Sequence, residues 1–163
     1  MQEESGLYII VGMILSGFFA FPIEAVGIVL QIIGLTLVQN NHALFKLAWV
    51  LEIMYGFAYI LWMIYNGIGN WWWPLDEMMC IVLMIGINKY YENEYIKKVA
   101  VFAGSLMGAQ IVIIAAKDVL SDYLALYPAL FWGINTLFVL ALIMACYVLG
   151  RCYKEEKNVP ARS

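Results

Sequence analysis

Glu52 lies in the apolar stretch Leu44–Tyr65, about eight residues past its start and so, at a helical rise of about 1.5 Å per residue, roughly 12 Å along it. A carboxylate surrounded by hydrocarbon costs several kcal/mol unless it is protonated, paired or hydrated, which makes such a residue a candidate for handling an ion or solute. Tyr55, Tyr59 and Asn66 follow at i+3, i+7 and i+14, offsets that return to one helix face, and Trp49 and Trp62 flank that stripe. Together these side chains read as one wall of a polar pocket for a cation or a protonatable small molecule. The competing account makes Glu52 a neutral group that glues helices together by hydrogen-bonding to a tyrosine or to Gln31.

The facing wall is expected from Glu24 and Gln31, seven residues apart, with Gly27 and Gly34 on the same side. Glycines let a helix or a ligand approach closely, and the Gln31 amide offers both a donor and an acceptor; close helix packing without a ligand explains the same spacing. Glu24, Asp76, Glu77, Asp118 and Asp122 gather at one end of the apolar stretches against Lys117 alone. Such an acidic mouth would concentrate cations, although Glu24, Asp76 and Glu77 also suit first helical turns, where they complement the helix dipole. Gly104-Ser105-Leu106-Met107-Gly108 reads as a small-residue packing motif.

Enzyme chemistry finds little to stand on. The single histidine, His42, sits in a polar loop, and no His, Cys and carboxylate set has metal-ligand spacing. Ser16 and Ser105 have no histidine at matching depth, and no glycine-rich phosphate loop occurs. Neither a catalytic residue, a metal nor a cofactor is expected. Cys152, beside Arg151 at a membrane edge, is placed where acylation can occur, although a cysteine in such a position usually stays unmodified.

These groups need apolar helices to carry them, and the composition supplies little else. Hydrophobic residues make up 64% of the 163-residue chain and charged ones 13%, against about 45–50% and 25% in soluble domains. A soluble domain of this size could not hide that much apolar surface, and the acidic balance excludes a nucleic-acid binder. The expected fold is an all-α integral membrane protein, a bundle of six transmembrane helices near residues 6–21, 22–38, 44–65, 74–87, 99–116 and 128–150. Residues 1–150 would form the bundle and 151–163 a short polar tail. The stretch Leu7–Val38 would be about 48 Å long as one helix, too long for a hydrocarbon core of about 30 Å, so a hairpin is placed at Phe21-Pro22; five spans with a long kinked first helix is the alternative. With six spans and both termini cytoplasmic, eight of the nine Lys and Arg residues fall inside and Lys117 outside, as the positive-inside rule asks.

Phe21-Pro22, Trp73-Pro74 and Tyr127-Pro128 each precede an even-numbered span at spacings of 52 and 54 residues. They are either ordinary helix starts, where proline is well tolerated, or traces of three repeated helical hairpins. The leading functional expectation is a transporter or solute-binding bundle in the cell membrane, centred on Glu52, with Tyr55, Tyr59, Gln31, Asn66 and Glu24 contacting a cation or small-molecule solute. A non-catalytic accessory subunit, associating with itself or with partner membrane proteins, is the alternative, and a membrane-embedded enzyme comes third. Lipid is the one partner common to all three.

Overall fold

An apolar segment has few side chains able to satisfy its own backbone, so it folds where each N–H and C=O finds a partner within the segment, as a helix. The computed structural model describes residues 3–17, 22–65, 73–119 and 128–158, and in it these segments form six helices. They are α1 (Glu3–Ser16), α2 (Ile23–Val38), α3 (Ala43–Tyr65), α4 (Trp73–Tyr90), α5 (Glu94–Val119) and α6 (Pro128–Asn158). No strand occurs among the described residues.

Three stretches, Ala43–Tyr65, Glu94–Ala116 and Asn135–Glu155, are long and apolar enough to cross a membrane. α1 and α2 are apolar but shorter, and α4 carries Asp76, Glu77 and Lys89. The sequence reading counted six spans; length and composition qualify three.

Local chemistry sets the helix ends. Pro22 immediately precedes α2, Pro74 falls in the first turn of α4 and Pro128 opens α6, positions where a missing N–H costs nothing. His42, the lone histidine, accepts a hydrogen bond from the Leu44 N–H at 3.1 Å on its Nδ1 and so caps α3. Asn93 does the same for α5, its Oδ1 accepting from Tyr95 N–H at 3.0 Å and Ile96 N–H at 3.4 Å. The far end of α6 departs from the expected boundary. The helix runs beyond Gly150 to Asn158, and this extension is anchored rather than free. Cys152 is fully buried and hydrogen-bonded to Tyr91, Arg151 lies over the Tyr95 ring at 5.7 Å, and the Asn93 amide donates to Glu155 at 3.1 Å. A thiol so enclosed is no acylation site.

Each helix packs on its neighbours in chain order, and α6 closes back on α1. The six therefore form a ring. α1 and α2 lie against each other as a hairpin, which rules out one long kinked helix through Phe21-Pro22. Outward faces are apolar on every helix, as Val11, Val29, Phe57, Ile85, Phe102 and Ile143 show.

The α1–α2 contact is the tightest. A Cβ added at Gly27 would lie 2.4 Å from the Ser16 nitrogen and 2.8 Å from the Gly12 carbonyl oxygen, both backbone atoms that cannot swing aside. By contrast, nothing lies within 4 Å of a Cβ at Gly108, so the Gly104–Gly108 motif is not a close helix contact at that end. Gly27→Ala is expected to cost about 1–3 kcal/mol by overpacking and to lower the melting temperature of the purified protein by several degrees. Gly108→Ala should leave it unchanged or slightly raised, because alanine is the better helix former.

Candidate functional site

Buried stripes with alternating steps of three and four residues run along both α2 and α3. On α2 the stripe is Glu24, Ile28, Gln31, Leu35 and Val38; on α3 it is Phe45, Ala48, Glu52, Tyr55 and Tyr59. This periodicity turns one line of side chains toward a neighbouring helix. The helices run antiparallel, and two contacts fix their register. Trp49 Nε1 donates to Thr36 Oγ1 at 2.9 Å, and Gly56 sits against Ile28, whose Cγ2 would be 3.1 Å from an added Cβ. Gln31 and Glu52 lie between those contacts, and so at the same level of the hairpin.

The sequence-derived partners are thus brought together, but not in the expected pairs. The Tyr55 hydroxyl donates to Glu24 Oε1 at 3.0 Å, and the Tyr59 hydroxyl also bonds Glu24. The Gln31 amide nitrogen turns toward α1 and donates to Ser16 Oγ at 2.8 Å, while its carbonyl oxygen accepts nothing among the described residues. Glu52 is 0% exposed, and neither of its carboxyl oxygens has a hydrogen-bond partner among the described residues. The tyrosine and the glutamine that could have made Glu52 a helix-joining group are engaged elsewhere.

A third helix completes the site. α4 packs on α3 with Gly86 against Phe45, whose Cε1 would be 2.7 Å from an added Cβ. That register carries Asp76 to within a turn of Glu52. Asp76 lies within electrostatic reach of both Glu52 and Glu24, and its Oδ1 is buried without a partner among the described residues. Sequence reasoning missed this role. The signal was present in the spacing, since Asp76, Met79, Cys80, Leu83 and Ile87 recur at helical intervals and the last four are buried.

By the register of these contacts Gln31, Glu52 and Asp76 stand near one level of α2, α3 and α4, a polar layer with an apolar cluster to either side. Ile28, Tyr55 and Tyr59, with Leu75 packed on them, lie on one side. Leu35, Val38, Phe45, Ala48, Met79 and Leu83 belong to the large core on the other. The Tyr55, Tyr59 and Trp62 rings continue from the layer toward the end of α3, with centroid separations of 6.5 and 5.9 Å.

The expected acidic mouth takes a different form. Glu24 is buried and Asp76 and Glu77 are half-buried, so these carboxyls face helices instead of lining an open surface. Asn66 and Asp122 lie outside the described residues. Among the described residues, no group of three or more His, Cys, Asp or Glu side chains is spaced to hold a metal ion. Comparisons with protein-family models, with curated proteins and with solved structures found no match.

The two carboxyls should respond oppositely to substitution. Tyr55→Phe removes the hydroxyl bonded to Glu24 and is expected to destabilise the protein by about 0.6 kcal/mol, the average for such interhelical bonds. Glu52→Gln removes no protein hydrogen bond and replaces a carboxyl with a cheaper buried amide, so the melting temperature should hold or rise. Thermal unfolding of the two purified variants beside the parent protein checks both signs.

Proposed function

We propose that this chain is a multi-pass protein of the cell membrane that binds or transports a cation or protonatable small molecule at Glu52. In this reading all six helices cross the bilayer, in three hairpins with both termini cytoplasmic. The apolar exterior on every helix and the three long apolar stretches support the membrane assignment. The shorter helices suit spans whose ends are met by local thinning of the bilayer, at a modest cost per ångström. Two labelling variants test the orientation. In intact cells a membrane-impermeant thiol reagent should modify Asn70→Cys and spare Glu92→Cys, with the parent chain as the background control; the opposite pattern would overturn the topology.

The observation that carries the functional reading is the Glu52 carboxyl, wholly buried with neither oxygen partnered among the described residues. A group that only joins helices is stabilising through its hydrogen bonds, and this one makes none among the described residues. A group that receives a solute must keep acceptors free for it. Glu24, held by Tyr55 and Tyr59, adds a second carboxyl nearby, and in this reading Tyr55 and Tyr59 offer apolar ring faces to a solute body.

A cation and a proton compete for the same carboxyl oxygens. Bound cation favours the ionised form, so binding should release a proton and weaken as the medium is acidified. Melting temperatures of the purified protein, measured with and without candidate cations across pH, should show a ligand-induced rise that fades toward acid pH and is absent in Glu52→Gln. Identical, ligand-independent profiles for parent and variant would sink the solute reading and favour the accessory-subunit alternative.

A further inference from the structure

The buried oxygens of the polar layer share one property that narrows the chemistry of its solute. Gln31 Oε1, both oxygens of Glu52 and Asp76 Oδ1 are buried side-chain acceptors without a hydrogen-bond partner among the described residues. They come from three helices, α2, α3 and α4. The layer holds more free acceptors than free donors, since one Gln31 amide N–H is given to Ser16 and the Tyr55 hydroxyl to Glu24. A matching solute must bring its own N–H or O–H groups, more than one of them, together with positive charge.

We propose that the solute is a small primary ammonium ion whose N–H groups are accepted by Gln31, Glu52 and Asp76; this rests on the solute-binding reading above. A primary ammonium carries three donors and no acceptor, which is the complement of this layer. A quaternary ammonium brings charge but no donor, and would leave each buried oxygen unsatisfied, a costly outcome in an apolar surround. A bare metal ion needs a close ligand set, and no group of three or more His, Cys, Asp or Glu among the described residues supplies one. The alkyl body then lies on the apolar cluster of Ile28, Tyr55 and Tyr59, on the side of the layer where the aromatic rings continue.

The test compares three cations of equal charge, n-propylammonium, tetramethylammonium and sodium, by calorimetric titration into the purified full-length protein at constant ionic strength. n-Propylammonium should bind at least about tenfold more tightly than either of the others. Gln31→Met keeps most of the side-chain volume and removes one acceptor; it should weaken n-propylammonium about tenfold, the scale of a hydrogen bond to a charged group, and leave tetramethylammonium unchanged. Gln31 also holds Ser16, so Asp76→Asn serves as a second variant with the same expected selectivity loss. Tetramethylammonium or sodium binding as tightly as n-propylammonium, with that binding abolished in Glu52→Gln, would overturn the ammonium assignment and leave the cation site standing. Binding of none of the three cations to the parent protein would overturn it together with the solute reading.

Discussion

Removing the Glu52 side chain from water costs several kcal/mol unless the carboxyl is neutralised or paired, and the helices around it supply no hydrogen bond among the described residues. That cost shapes its surroundings. The stripe on α3 is apolar at Phe45 and Ala48, polar at Glu52, and aromatic at Tyr55 and Tyr59. The facing stripe on α2 changes character at the same level, at Gln31, and α4 brings Asp76 close by. Polar groups gathered near one depth leave the large core around Leu35, Phe45, Met79 and Leu83 to pack through apolar side chains, while Glu24 at the other cluster is held by Tyr55. The cost is concentrated in one layer, where a cationic partner can offset it.

α2 makes that layer possible because it serves two neighbours at once. Gly27 and Gly34 bring its backbone against α1, with added Cβ atoms at 2.4 Å from Ser16 N and 2.8 Å from Ser5 O. So close an approach lets the Gln31 amide reach Ser16, which orients the side chain. The other edge of α2, from Glu24 to Thr36, meets α3 through the Tyr55 and Trp49 hydrogen bonds. Glycines at one edge and hydrogen-bonding side chains at the other hold α2 on both sides. Prolines stand alike at the starts of α2, α4 and α6, yet the backbone glycine contact belongs to α1 and α2, since Gly86 on α4 meets Phe45 side-chain atoms and Gly104 on α5 lies against Met84 of α4, 3.4 Å from an added Cβ. A common helix-start chemistry therefore coexists with distinct packing in each pair.

Much of the architecture was legible in the chain itself. Apolar runs longer than a helical turn can only satisfy their backbone locally, and prolines mark where helices begin, so helix number and order followed from residues such as Pro22, Pro74 and Pro128. The 3–4 spacing of Glu52, Tyr55 and Tyr59, and of Glu24 and Gln31, placed them on inward stripes before any packing was known. Periodicity reports which face of a helix is special, and it did so correctly here.

What periodicity cannot report is what that face meets. Whether Tyr55 donates to Glu52 or to Glu24, and whether Gln31 spends its amide on α3 or on α1, depends on the register between helices. That register is set by Trp49 on Thr36, Gly56 on Ile28 and Gly27 on Ser16. The contact of Gly86 with Phe45 likewise brings Asp76 from an expected surface mouth toward Glu52, and contacts with Asn93 and Tyr91 anchor α6 beyond Gly150. The sequence by itself determined the helices, their inward faces and the presence of a carboxyl at depth, because these depend on residue type and local spacing. The tertiary structure alone decided which acceptors were left without donors, because hydrogen bonds between helices depend on relative displacements of a few ångströms that no single helix encodes.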